Sequence, residues 1–215
     1  MALFTLAGPA QAAVCHAGTY AYAGLGSRSS VRAVAATIVP TTAPAVRDGH
    51  VAGWVGVGGY GVGPGGTDEW LQIGIIAGPR TPSAIYVEVA RPGKQPFRRT
   101  VRAGVALGEH HRFAIVESSG HANWWRVLLD GRATGAPVFL AGSHARLAAQ
   151  ITGESYAGLS EGACNLYSFS FKDVSVAPMQ RVPTARLFDL FQDANYLFTR
   201  SSSTSFVARS AGPRS

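Results

Sequence analysis

The sequence predicts an all-β protein, an antiparallel two-sheet β-sandwich of the jelly-roll kind, followed by a short C-terminal amphipathic helix and a disordered tail. Three observations carry this. Runs rich in β-branched and aromatic residues recur about every ten to twenty positions through residue 177. Clusters of Gly, Pro and Asp-Gly separate them, and no segment with a helical period lies between them. The composition agrees: 47% hydrophobic and 14% charged, with 26 Gly and 12 Pro, suits a single turn-rich domain with a sizeable core.

The amino terminus reads as an export signal. "ALFTLAGPA" is a short apolar run, and "AQA" at 10–12 has the small-x-small form of a signal-peptidase site. The expectation is a signal-peptide remnant over 1–12, a β-sandwich over 13–178, a helix-and-tail segment over 179–215, and a secreted protein. No run reaches the roughly 18 apolar residues of a membrane span, so no integral membrane segment is expected. Cys15 and Cys164 have two readings: a bridge, which in an oxidising compartment would be worth about 4 to 5 kcal/mol in the entropic account, or two buried thiols.

The strand candidates in order are "TYAYAGL", "VRAVAATIVP", "HVAGWVGVG", "EWLQIGIIA", "AIYVEVARP", "FRRTVRAGV", "HRFAIVES", "WWRVLLDG", "PVFLAG", "RLAAQITGES" and "LYSFSFKDVSVA". "LLDGR" predicts a tight hairpin turn at Asp130-Gly131, and Trp124-Trp125 sets one ring in the core and one outside. Beyond 177 the pattern changes. Leu187, Leu190, Phe191, Ala194, Leu197 and Phe198 fall at helical spacing and predict a helix over 184–199; the Ser-rich stretch over 201–215 predicts disorder.

Several chemistries are set aside. Gly56, Gly58 and Gly61 match G-x-G-x-x-G, but Pro64 and two further glycines follow where a phosphate-binding loop needs a helix; the stretch is a hairpin connection. No G-x-S-x-G and no H-E-x-x-H occurs, and adjacent His110 and His111 face opposite ways in a strand, so neither a serine nucleophile nor a metal site is expected, and no cofactor. Of 19 basic residues all but Lys94 and Lys172 are arginine, scattered rather than clustered, so the net charge of +7 does not indicate nucleic-acid binding.

Alternation inside the strands points to a groove. Leu71, Ile73 and Ile75 face one way, Trp70 and Gln72 the other; Ile85, Val87 and Val89 oppose Tyr86 and Glu88. Val51, Val55 and Val57 oppose Trp54, and Leu147, Ala149 and Ile151 oppose Gln150, Thr152 and Glu154. If these strands share a sheet, its second face carries aromatic rings for contact area and amide and carboxyl groups for hydrogen bonds, suited to an extended polypeptide or glycan.

The succession "YAG" at 22–24, "VRAVAATIVP", "GWVGVGG", "LQIG", "IYVEV", "GVALGEHHRFAIV" and "AAQITGES" resembles the eqolisins, the glutamic peptidases, over most of residues 20–177. The resemblance implies a concanavalin-like sandwich, secretion, and endopeptidase activity. It carries the family's catalytic Gln onto Gln72, its catalytic Glu onto Glu154 and its cleft Trp onto Trp54. The pair suits hydrolysis: a carboxylate takes a proton from water and returns it to the leaving amine, while a carboxamide N–H donates to the oxyanion. Trp70, Tyr86, Glu88, Gln150 and Thr152 are the expected substrate-binding companions. The chain departs from the family in having Gly58 where an Asp stands and "ITGE" before and including Glu154, so the alternative is a non-catalytic glycan- or peptide-binding module using the same groove.

Overall fold

The structure, a computed structural model, describes residues 14–159, 162–179 and 187–211. The chain forms β1 (Val14–Cys15), β2 (Tyr20–Pro40), β3 (His50–Gly59), a 3-10 turn at Pro64–Gly66, β4 (Glu69–Ala77), β5 (Ala84–Ala90) and β6 (Phe97–Ala103). There follow β7 (His111–Glu117), β8 (Trp124–Leu129), β9 (Arg132–Ala133), β10 (Val138–Phe139) and β11 (Ala148–Tyr156). The last are β12 (Gly162–Ala163), β13 (Ser168–Pro178), β14 (Phe188–Gln192), β15 (Tyr196–Ser202) and β16 (Ser205–Ser210). Among the described residues there is no α-helix, and none therefore long and apolar enough to cross a membrane.

The two expected strands "TYAYAGL" and "VRAVAATIVP" are one 21-residue strand, β2, which joins both layers. Its first half pairs with β11 on one side and β14 on the other, in the order β14-β2-β11-β3-β4-β5-β6. Its second half pairs with β7 and β13, extending through β8 and β10 one way and β16 and β15 the other. All of these pairings are antiparallel.

The alternation read from the sequence holds where it packs the core. Val55, Leu71, Ile73, Ile85, Val87 and Ile151 of the first sheet share one buried cluster with Ile38, Phe113, Ile115, Phe169 and Phe171 of the second. Trp125 is fully buried and Trp124 exposed, and Leu129 pairs with Arg132 across the Asp130-Gly131 turn, both turn residues having positive φ. Cys15 and Cys164 are joined in a disulfide with Cα atoms 5.0 Å apart, tying β1 to the body of the sandwich across 149 residues.

The C-terminal expectations need correcting. The helix over 184–199 is replaced by β14 and β15, separated by a turn in which Asn195 has φ 69°, a conformation that interrupts a helix. The physical reason is tertiary: β2 offers an unpaired edge at residues 23–27, which β14 fills, and Asp193 accepts a hydrogen bond from the Tyr22 amide. The disordered tail is corrected as well. Residues 201–204 turn a hairpin into β16, whose Phe206 and Ala208 are buried between β13 and β15. Residues 184–186, 212–215 and the expected signal segment 1–12 lie outside the described residues.

Candidate active site

The outward face of the β14-to-β6 sheet is concave and holds a groove of about 830 Å3. Trp54, Trp70, Gln72, Tyr86, Glu88, Gln150 and Glu154 line it together. They come from four strands in order, β11, β3, β4 and β5, and reach one side because each occupies the same parity of its strand. Thr152 does not line it: it is fully buried, and its hydroxyl donates to the Gly153 carbonyl.

Gln72 lies level with Gly56 of β3 and Gln150 of β11, whereas Glu154 lies level with Ala52, four residues further along. The Trp54 indole occupies the interval. Its Nε1–H donates to Glu154 Oε2 at 2.9 Å, and its ring lies so close over Gly56 that a Cβ there would sit 2.9 Å from Cζ3 and 3.1 Å from the β-carbon of Gln72. A side chain at 56 would therefore force the indole to move. At Gly58 the φ of 88° and the approach of the Glu69 carbonyl leave no room for a side chain.

Glu154 is only 5% exposed, and its second oxygen faces His50 Nε2 at 2.9 Å. Gln72, 8% exposed, donates from Nε2 to the Tyr86 hydroxyl at 3.1 Å, leaving its other N–H for a ligand. Burial, reinforced by the negative charges of Glu154 and Glu88, holds the Tyr86 hydroxyl well above its ordinary range, so it remains a neutral hydrogen-bonding partner. Trp70 Nε1 donates to Glu88 Oε1 at 3.2 Å. Burial raises the Glu88 carboxyl above the usual range; that Trp70 hydrogen bond and Arg98 oppose the shift, and Glu154 adds to it. Gln150 Nε2 donates to the Gly58 carbonyl at 3.3 Å and braces the groove wall.

Other lining residues escaped the sequence reading. His50 belongs to the same parity as Trp54, and Tyr156 to the same parity as Glu154, so the alternation already held the signal for both. Tyr20 and Tyr22 do likewise on β2, and burial, then the Glu154 charge, pushes the Tyr20 hydroxyl up to about 12. Tyr60, tilted against Trp70 with centroids 5.1 Å apart, and Phe191 of β14 had no such signal, one being in a loop and the other read as helical.

No protein-family model matches the chain, and no curated protein is similar to it. Solved structures are. Scytalido-glutamic peptidase bound to a peptide-based transition-state analogue superposes with a TM-score of 0.58 at 16% identity, covering 90% of this chain and 98% of that one. SCP-B, a member of the eqolisin family of peptidases in complex with the tripeptide Ala-Ile-His, gives a TM-score of 0.54 at 16% identity over 88% and 97%. At this identity the likeness establishes the fold, and the chain has the antiparallel β architecture of the glutamic peptidases.

Proposed function

We propose that this protein hydrolyses peptide bonds with Gln72 and Glu154, acting as a secreted endopeptidase on extended polypeptide laid in the groove. The observation that carries the reading is a buried carboxylate, Glu154, held by two ring N–H positions at the floor of the groove that also contains the Gln72 carboxamide. A buried carboxylate without a countervailing role is costly, so its retention there points to chemistry.

In this mechanism Glu154 removes a proton from water as the oxygen attacks the peptide carbonyl carbon. The free N–H of Gln72 donates to the developing oxyanion. Collapse of the tetrahedral intermediate breaks the C–N bond, and Glu154 returns the proton to the departing amine, restoring the carboxylate. The fold neighbours bound to a transition-state analogue and to a tripeptide support the same occupant for this groove. The test is turnover of an unfolded protein substrate by wild type, Glu154→Gln and Gln72→Ala. Wild-type cleavage unaffected by chelators and by serine or cysteine reagents is expected, with Glu154→Gln inactive and Gln72→Ala slowed by about a hundredfold to a thousandfold.

A binding role without catalysis is favoured by one feature, the exposed Tyr60 ring packed on Trp70 at the groove rim, an arrangement that stacks on a sugar or a side chain. Retention of an oligosaccharide or peptide that is lost in Trp70→Ala, with no cleavage between pH 2 and 8, would decide for that reading.

A further inference from the structure

Both oxygens of Glu154 are engaged, and only one of the donors, Trp54, belongs to the residues carried by the family resemblance. The other is His50, the first residue of β3, which pairs with Tyr156 in register and faces Glu154 Oε1 from Nε2 at 2.9 Å. The imidazole is caged. Its centroid lies 5.5 Å from the Tyr156 ring and 6.0 Å from the Tyr20 ring, which meets it edge-on, and its side chain is 15% exposed. The ring therefore has little freedom to swing away.

We propose that His50 is a positioning residue for peptide cleavage, donating Nε2–H to Glu154 so that the carboxylate keeps a single orientation toward the attacking water; this rests on the peptidase reading of Gln72 and Glu154. The terminal torsion of a Glu is broad and two-fold, and one donor leaves the group free to pivot about that hydrogen bond. Two donors on different oxygens, each on a ring packed in place, remove the pivot. A carboxylate has about four acceptor positions, so two remain for water and for the proton it must take up. Tyr86 performs the parallel service on the other side, receiving one N–H of Gln72. Each half of the dyad is thereby tied by an aromatic-caged or buried group of the groove wall.

The test separates hydrogen bonding from packing. His50→Phe keeps a ring between Tyr20 and Tyr156 but has no donor; His50→Gln restores an N–H without the ring. With a fluorogenic peptide cleaved by wild type, His50→Phe should lower kcat by about ten- to a hundredfold while KM stays within about twofold, and His50→Gln should recover most of the loss. The hydrogen bond itself should appear as an exchange-protected, downfield imidazole Nε2–H proton resonance that disappears in Glu154→Ala. Wild-type kcat in His50→Phe, or a folded His50→Gln no better than His50→Phe, overturns the assignment while leaving the peptidase reading intact. If the resonance is present and wild type cleaves no peptide at any pH, the peptidase reading fails and the catalytic role of His50 goes with it.

Discussion

Trp54 and Glu154 are diagonal neighbours on adjacent strands, two residues apart in register, and the indole Nε1–H donates to the Glu154 carboxylate at 2.9 Å although both side chains are buried. The contact makes a charged group tolerable inside the groove wall, because a buried carboxylate stripped of donors carries its full desolvation penalty. Trp54→Phe keeps an aromatic ring but removes the donor together with part of the ring surface. It should lower unfolding free energy by about 1–3 kcal/mol in chemical denaturation and slow peptide cleavage. An unchanged denaturation midpoint would show the contact to be energetically idle.

Gly56→Ala addresses the same indole from below. The added Cβ would meet Trp54 Cζ3 at 2.9 Å, the Leu71 carbonyl at 3.1 Å and the Gln72 β-carbon at 3.1 Å, so the ring must shift. Overpacking of this kind costs about 1–3 kcal/mol, and here it should also change tryptophan fluorescence and reduce turnover. Gly59→Ala is the control: the nearest atom to its added Cβ, Gln150 Nε2, is at 3.5 Å, an ordinary contact.

Glu88 gives a pH dependence with a definite sign. Burial raises its carboxyl in the folded protein, so it binds a proton more tightly folded than unfolded. Its contribution to stability is fully present below the ordinary carboxylate range and is lost as pH rises through the raised folded value. Glu88→Gln retains an acceptor for Trp70 and cannot ionise. The variant should match wild type near pH 3 and exceed it near pH 7, offset slightly by the loss of the long, half-exposed Arg98 pairing at 3.9 Å. Urea denaturation at the two pH values checks this; a variant less stable than wild type at pH 7 contradicts it.

Phe206 tests the C-terminal strands. It is 1% exposed and its ring stacks on Phe171 at 4.5 Å and Phe198 at 4.7 Å. Phe206→Ala should cost about 3–5 kcal/mol. A thermal midpoint indistinguishable from wild type would mean that β16 is not part of the packed sandwich.

Much of the groove was legible as period-two alternation. The parity that sends Leu71, Ile73 and Ile75 into the core necessarily sends Trp70 and Gln72 to the opposite face, and the same holds for Trp54, Tyr86, Glu88 and Glu154. Parity alone names a face, however, and not a neighbour. Thr152 shares the parity of Glu154 yet is covered, while His50, of the same parity as Trp54, meets Glu154, because burial and contact depend on which strands flank each position and in what register.

The chain by itself determined most of the strands up to residue 177 and the side of each that is apolar, since these follow from local sterics and from the burial of branched side chains. Tertiary structure decided three things: that β2 runs unbroken through both layers, that Glu154 meets both His50 and Trp54, and that residues 188–210 form strands. The last shows the reason most plainly. Spacing in "LFDLFQDANYLF" suits a helix, but β2 and β13 present unpaired backbone edges, and satisfying those buried N–H and C=O groups together with burial of Tyr196 and Phe206 outweighs the small intrinsic preferences of single residues, which are only tenths of a kcal/mol each.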